Sequence, residues 1–329
     1  PVYKDLMIEK LMDLKEDGSF KLNMKYFNYC TGLTMTNAKF SELFGQPVRA
    51  KEEDQLEQFH MDMAASVQAV TEEIVARLVK SLVSETGIEN VCMAGGVALN
   101  CVSNGKLIRE GIVKNLWVQP AAGDAGGALG AALLAHHCYK NQPRVVDTEK
   151  LDSMHGSYLG PGYEQSEIEE QLLACGAKFD TFDCTDKMTE EAAALIADEK
   201  VLGWCQGRME FGPRSLGARS ILGDPRSEKM QKIMNLKIKY RESFRPFAPS
   251  VLREDVSEYF ETDMDSPYML LVDKVKPERC RTMTKEESEL FGIDKLNVKR
   301  SDLPAITHVD YTARVQTVHK QTNPLYHQV

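Results

Sequence analysis

Helical and strand-like patterns alternate along the first half of the chain, and this alternation restricts its fold more than any other feature. From Gln58 to Glu85, apolar residues recur at helical spacing, and Gly87 stands where a C-cap glycine belongs. The patterns that follow predict a strand, a helix, a second strand and a further helix, at residues 91–94, 97–109, 115–119 and after Pro120. Such alternation with short connections predicts an α/β fold.

The 329 residues are enough for two domains. Between residues 141 and 163 the chain becomes polar and rich in turn-forming residues, which predicts a linker at 143–163 between domains at 1–142 and 164–329. In the second domain the patterns predict helices near 166–174, 189–198 and 227–236, a strand at Val201–Cys205, and a solvated loop or helical excursion at 274–299.

The net charge of −9 argues against a general nucleic-acid surface but leaves room for a local basic pocket. No apolar run approaches the about 18 residues that a membrane helix needs. The eight cysteines lie singly, without a C-x-x-C pair. This spacing predicts reduced, mostly buried thiols in a cytoplasmic protein instead of a disulfide frame or a zinc site.

The stretch AGGVALNCVSN (residues 94–104) joins a predicted strand to a predicted helix. Gly95 and Gly96 would let the backbone approach a ligand closely, and the helix N-terminus would offer free N–H groups to a nucleotide flanked by Asn100. A simple tight turn between strand and helix explains the glycines equally well.

A single carboxylate, Asp124, lies among small residues in QPAAGDAGGALGAA (residues 119–132). An acidic residue at the start of a helix is commonly an N-cap. The glycines on both sides also leave room for a divalent ion and phosphates, so Asp124 is a candidate metal ligand.

Two segments concentrate fixed positive charge among residues that disfavour helices. RMEFGPRSLGARS (208–220) carries Arg208, Arg214 and Arg219, and KIKYRESFRPFAPS (237–250) adds Lys239, Arg241 and Arg245. Turns would place these cations around a small volume walled by Phe244 and Phe247, which suits a compact anion. The other possibility is a structural ion-pair network with Glu210 and Glu242.

These segments, in this order along nearly the whole chain, resemble the NodU/CmcH-type O-carbamoyltransferase family. The resemblance implies part of an actin-like, sugar-kinase-like (TsaD-like) domain followed by a YrdC-like α/β domain with a twisted sheet. The family's paired histidines and its late Ser-Phe-Asn element have no counterpart in this sequence. We therefore expect a fragment of a longer enzyme, truncated at both ends and unable by itself to complete carbamoyl transfer.

The resemblance implies two half-reactions. Carbamoyl phosphate is activated with ATP as carbamoyladenylate, and the carbamoyl group then passes to a hydroxyl of a small-molecule acceptor, such as a sugar or natural product. A divalent metal, Fe or Mg, would assist the transfer in the intact enzyme. No membrane and no nucleic-acid partner are expected.

The same resemblance assigns residue roles. Lys239, Arg241 and Arg214 match catalytic positions. Carbamoyl phosphate or the adenylate would be contacted by Arg208, Arg219, Arg245 and Arg314, a nucleotide by Gly95, Gly96 and Asn100, and the metal by Asp124. One departure lies beside Arg314, because Tyr311 stands where the family usually has glycine.

Two further hypotheses remain open. Another YrdC-like carbamoyl-adenylate enzyme, such as a hydrogenase maturation protein, would have the opposite domain order and zinc-binding cysteines. A non-catalytic nucleotide-binding scaffold would have no reason to keep so many arginines. An RNA-modifying role would call for a basic groove with exposed aromatic residues, which the net charge of −9 disfavours.

Overall fold

The computed structural model describes residues 1–49, 56–149, 153–241 and 245–329. The chain divides into two compact units. The first unit is Pro1–Val91 with Lys106–Leu116, and the second unit is Cys92–Gly105 with Trp117–Val329. The predicted linker at 143–163 falls within the second unit, and residues 150–152 of it lie outside the described residues. The boundary between domains there stays a prediction.

The first unit begins with helix α1 (Lys4–Leu11) and the antiparallel strands β1 (Met12–Leu14) and β2 (Phe20–Leu22). Helix α2 (Ala38–Phe44) and the long helix α3 (Gln58–Thr86) follow. Buried side chains from these elements and from the connection after β2 form its core: Met7, Leu11, Tyr26, Phe44 and Val70. Helix α3 confirms the helix that the apolar periodicity predicts, and Gly87 caps its end in the left-handed conformation at φ 67°.

Strands β3 (Asn90–Met93) and β4 (Asn115–Val118) pair with each other. Between them lies helix α4 (Cys101–Arg109), and α5 (Asp124–Leu134) follows β4. These elements confirm the predicted alternation of helices and strands.

The rest of the second unit is a mixture of short helices and strands. The helices are α6 (Gln165–Ala174), α7 (Thr185–Ala197), α8 (Met230–Ile233), α9 (Val256–Tyr259), α10 (Lys285–Glu289) and α11 (Pro324–Gln328). The strands are β5 (Leu202–Cys205), β6 (Arg219–Leu222), β7 (Ser250–Leu252), β8 (Leu271–Lys274) and β9 (Thr312–Val318). The fold class is therefore mixed α/β.

Strand β9 is the centre of a three-stranded sheet, parallel to β7 and antiparallel to β8. Apolar side chains pack around this sheet, including Val256, Phe260, Ala313 and Val315, each at most 1% exposed. Strands β5 and β6 form a separate antiparallel pair. In the described part of the chain, no helix is both long and apolar enough to cross a membrane.

Helix α8 continues into a π-helical turn at Met234–Ile238, where the sequence predicts one regular helix over 227–236. The amide of Lys239 bonds to the carbonyl of Met234 at 2.9 Å, and Tyr240 then takes a positive φ of 47°. Wide turns of this kind occur frequently at functional sites. This one redirects the chain so that Lys239 and Arg241 leave the helix together.

The prediction of mostly buried thiols is wrong. All eight cysteines are free, and six of them are exposed. Cys92 and Cys205, for example, lie at exposed positions of β3 and β5, because alternate residues of a strand point to opposite faces.

The loop before β6 is organised by Glu210, whose side chain is 8% exposed. Its Oε1 accepts hydrogen bonds from the backbone amides of Leu216 at 2.7 Å, Ala218 at 2.8 Å and Arg219 at 3.2 Å. Gly212 lacks the Cβ that would lie 2.7 Å from the carbonyl oxygen of Pro120, so the loop can approach that backbone closely. One carboxylate thus determines the path of residues 210–219.

We expect Glu210→Ala to lower the free energy of unfolding by about 2–4 kcal/mol, because three amide groups would lose a charged acceptor. Glu210→Gln keeps an oxygen at that position and should lose less than half as much. Urea denaturation of both variants checks this expectation. Equal losses in the two variants would contradict the role of the Oε1 atom.

Candidate anion-binding site

A cavity of about 550 Å³ lies in the second unit. The structure brings to it five of the predicted cations: Arg214, Lys239, Arg241, Arg245 and Arg314. They come from the loop before β6, from the segment after the π-helical turn, and from β9. Its volume lies within the range of small-molecule sites in proteins.

Three of the cations that line the cavity lack a carboxylate partner in the described part of the chain. Within the residues that the structure describes, Arg214, Lys239 and Arg314 form no ion pair with a carboxylate. The Nε atom of Arg214 is buried and has no hydrogen-bond partner among those residues. A buried donor without a partner costs roughly 1–3 kcal/mol, so the arrangement favours a ligand that supplies acceptor oxygens.

Arg314 lies on β9 within the field of two other arginines. Burial lowers the pKa of its guanidinium group, and the positive charges of Arg214 and Arg241 lower that pKa further. An anion in the cavity would relieve this repulsion.

Arg241 is held in place from two sides. Its Nε donates to Oδ1 of the fully buried Asn235 at 2.7 Å, and its guanidinium carbon lies 4.9 Å from the centre of the Phe247 ring. Asn235 also donates to the carbonyl of Arg245 at 2.8 Å. Asn235 therefore positions Arg241 and Arg245, the two ends of the segment 241–245. Two residues of the sequence analysis, Glu242 and Phe244, lie outside the described residues.

Arg208 and Arg219 do not line this cavity, although the sequence predicts that they do. Arg208 donates to the carbonyls of Leu159 and Gly160 at 3.0 and 2.9 Å. Arg219 donates to several backbone carbonyls, including those of Gln206 and Gly207, each at 3.1 Å. The guanidinium groups of Arg208 and Arg219 therefore bind backbone carbonyls of the protein itself. The carboxylate of Glu210 likewise binds backbone amides, so it does not form the arginine network that was the other possibility.

The predicted nucleotide turn lies at the start of the second unit and does not line this cavity. Gly95 has a positive φ of 100°, its amide bonds to the carbonyl of Ala122 at 2.8 Å, and a Cβ on Gly95 or Gly96 would meet open space. Asn100 accepts a hydrogen bond from the amide of Ser103 at 3.2 Å. The turn is open to a ligand, and its binding of a nucleotide remains a proposal.

Asp124 is the first residue of α5, and Gly123 occupies the N-cap position. Its carboxylate is exposed and does not line the arginine cavity. Across the described ranges, no cluster of three or more His, Cys, Asp or Glu side chains could hold a metal ion. The described residues therefore do not fit a complete metal site, and Asp124 by itself supplies one ligand.

Two residues of the cavity region, His308 and Asn235, were not predicted from the sequence. His308 lines the cavity and precedes Arg314 by six residues in HVDYTARVQ. Its closeness to a predicted site arginine is the sequence feature that could have identified it. Tyr311, the departure from glycine in that stretch, adopts a positive φ of 64°. Its hydroxyl donates to the carbonyl of Arg281 and accepts from the amide of Met283, at 3.1 and 3.2 Å, which holds this unusual conformation.

Two family models match this chain. The family model "Carbamoyltransferase N-terminus" matches residues 2–133, and "Carbamoyltransferase C-terminus" matches residues 193–329. The C-terminal match contains all five cations of the cavity, and the N-terminal match contains Gly95, Gly96, Asn100 and Asp124.

Curated relatives are similar along most of the chain. An uncharacterised protein of Synechocystis is 58% identical over 331 residues, which cover 100% of this chain and 53% of the relative. Nodulation protein NolNO of Sinorhizobium fredii is 43% identical over 83% of this chain and 37% of its own length. Nodulation protein NolO of Bradyrhizobium diazoefficiens is 42% identical over 82% of this chain and 45% of its own length.

The chain thus spans about half the length, or less, of these curated relatives. The two family models together match most of its residues, in the order expected for an N-terminal and a C-terminal part. This chain belongs to the carbamoyltransferase family.

Proposed function

We propose that the arginine cavity binds the phosphoryl groups of carbamoyl phosphate and ATP and forms carbamoyladenylate within a YrdC-like domain. The observation that supports this most directly is the convergence of Arg214, Lys239 and Arg314 without a carboxylate partner among the described residues. Phosphate oxygens are the acceptors that such a set of donors binds best, because each carries negative charge and several lone pairs.

The first half-reaction follows from ordinary phosphoryl chemistry. Water releases phosphate from carbamoyl phosphate and leaves carbamate, and a carbamate oxygen then attacks the α-phosphorus of ATP, so that pyrophosphate departs. Negative charge accumulates on the phosphate oxygens during both steps. Arg214, Arg241 and Lys239 would stabilise that charge with donors that are already in place, Arg241 through its contacts with Asn235 and Phe247.

In the second half-reaction the oxygen of an acceptor hydroxyl attacks the carbamoyl carbon. AMP leaves, and the hydroxyl loses its proton. We assign this transfer to an actin-like domain of which residues 1–142 would form a part, with the acceptor a sugar or natural product in the cytoplasm. Gly95, Gly96 and Asn100 would contact the nucleotide there. Because the described residues do not fit a complete metal site, no step is derived through a metal.

A non-catalytic nucleotide-binding scaffold is the competing function. A scaffold could bind ATP through the same cations, but its binding would not depend on carbamoyl phosphate. Dependence of pyrophosphate release on carbamoyl phosphate separates the two.

In the complete protein, Arg214→Ala should reduce the rate of carbamoyl-phosphate-dependent pyrophosphate release about tenfold to hundredfold, because a charge-assisted hydrogen bond to phosphate is lost. The measurement is pyrophosphate release from ATP, with and without carbamoyl phosphate. Arg144→Ala is the matched control, since Arg144 is exposed and does not line the cavity. An equal loss in the control, or release without carbamoyl phosphate, would contradict the proposal.

The 329-residue chain by itself should retain no stoichiometric Fe²⁺ or Mg²⁺ after gel filtration, because one exposed carboxylate binds a divalent ion weakly. Elemental analysis of the chain and of Asp124→Asn should give the same low metal content. One tightly bound metal ion per chain that is lost in Asp124→Asn would show this expectation to be wrong.

A further inference from the structure

His308 is a lining residue of the donor-rich cavity and carries a potential hydrogen-bond acceptor. The residue lines the cavity together with Arg214 and Arg314. Its Nε2 atom is buried and has no hydrogen-bond partner among the described residues. The proposed phosphate chemistry does not use this atom.

The tautomer of the ring follows from its neighbours. Nδ1 of His308 lies 2.9 Å from Oγ1 of Thr312, and that hydroxyl donates its single hydrogen to Oδ1 of Asp310 at 2.7 Å. The Thr312 oxygen can therefore only accept from the ring, so Nδ1 carries the proton. Burial lowers the pKa of His308, and the positive charges of Arg314 and Arg300 lower it further against the opposing effect of Asp310. The ring is neutral at neutral pH, and Nε2 carries a lone pair.

The backbone of His308 is held as firmly as its ring. Its amide donates to the carbonyl of Thr312 at 2.8 Å, and its carbonyl accepts from the buried guanidinium of Arg300 at 3.0 Å. Arg300 also donates to the carbonyls of Lys295, Val298 and Thr307. The ring is thus fixed in position, and a fixed, buried acceptor without a partner is expensive unless a ligand supplies the donor.

We propose that Nε2 of His308 accepts a hydrogen bond from the amino group of the carbamoyl moiety and so selects carbamoyl phosphate over acyl phosphates that lack an N–H. This inference rests on the proposed function of the same cavity. The phosphate end of the ligand carries only acceptors and matches the guanidinium groups, whereas the amino end carries only donors and matches the ring nitrogen. Because Nε2 is buried, its contact with the ligand requires a small displacement of the side chains around it.

The test compares two stable analogues that differ in one group. Phosphonoacetamide presents an amino group, and acetonylphosphonate presents a methyl group of similar size at the same place. For the complete protein, calorimetry should show about tenfold tighter binding of phosphonoacetamide, as expected for one hydrogen bond to a buried acceptor. Inorganic phosphate serves as the probe for the arginines alone.

Two variants separate the acceptor from the structure around it. His308→Asn keeps a donor toward Thr312 but has no group at the position of Nε2, and it should bring the affinity ratio of the two phosphonates to about one. His308→Gln places an amide oxygen near that position and should restore part of the preference. Neither variant should change the affinity for inorganic phosphate, whereas Arg214→Ala should weaken it.

The outcomes distinguish the two proposals. Phosphate binding that depends on Arg214, together with an unchanged phosphonate ratio in His308→Asn, would overturn the role of His308 and leave the proposed function standing. Failure of the wild-type protein to bind either phosphate or phosphonates would overturn the proposed function itself.

Discussion

Repulsion between guanidinium groups is the constraint on which the second unit depends. Arg214 and Arg241 lie close enough to Arg314 to lower the pKa of its guanidinium group, and no described carboxylate neutralises Arg214 or Arg314. The structure supports them by other means. Glu210 binds the backbone of the arginine loop, Asn235 and Phe247 hold Arg241, and the sheet around β9 carries Arg314. Fixed positive charge that is supported in this way is what the proposed binding of an anion requires.

Unusual backbone geometry accompanies this charge. The π-helical turn and the positive φ of Tyr240 bring Lys239 and Arg241 out of α8 together, and Tyr311 has a positive φ three residues before Arg314. Such conformations cost of the order of 1–3 kcal/mol each and persist where the surroundings hold them. At Tyr311 the two hydrogen bonds of its hydroxyl do so. A glycine, which the family resemblance predicts at this position, would adopt a positive φ without strain.

The proposed binding mode would let the cavity distinguish the two ends of a small ligand. Cations on several segments match a group that only accepts hydrogen bonds, and the Nε2 atom of His308 matches a group that donates them. Arg241 and the His308 ring are held by neighbouring groups before a ligand arrives, which lowers the cost of ordering the site during binding. Carbamoyl phosphate carries one group of each kind.

The sequence by itself determined the alternation of helices and strands, the end of α3 at Gly87 and the high density of arginine in two segments, because these depend on local periodicity and composition. Only the tertiary structure decided that Arg214 and Arg314 line one cavity whereas Arg208 and Arg219 bind backbone carbonyls. The four side chains are chemically the same, but their roles differ. Backbone carbonyls accept hydrogen bonds from Arg208 and Arg219, whereas no carbonyl of a described residue accepts one from the Nε of Arg214. The same reason applies to His308. The hydrogen bonds among His308, Thr312 and Asp310 fix the proton on Nδ1, and burial leaves Nε2 without a partner among the described residues. Residue spacing in the sequence does not indicate which atoms are buried.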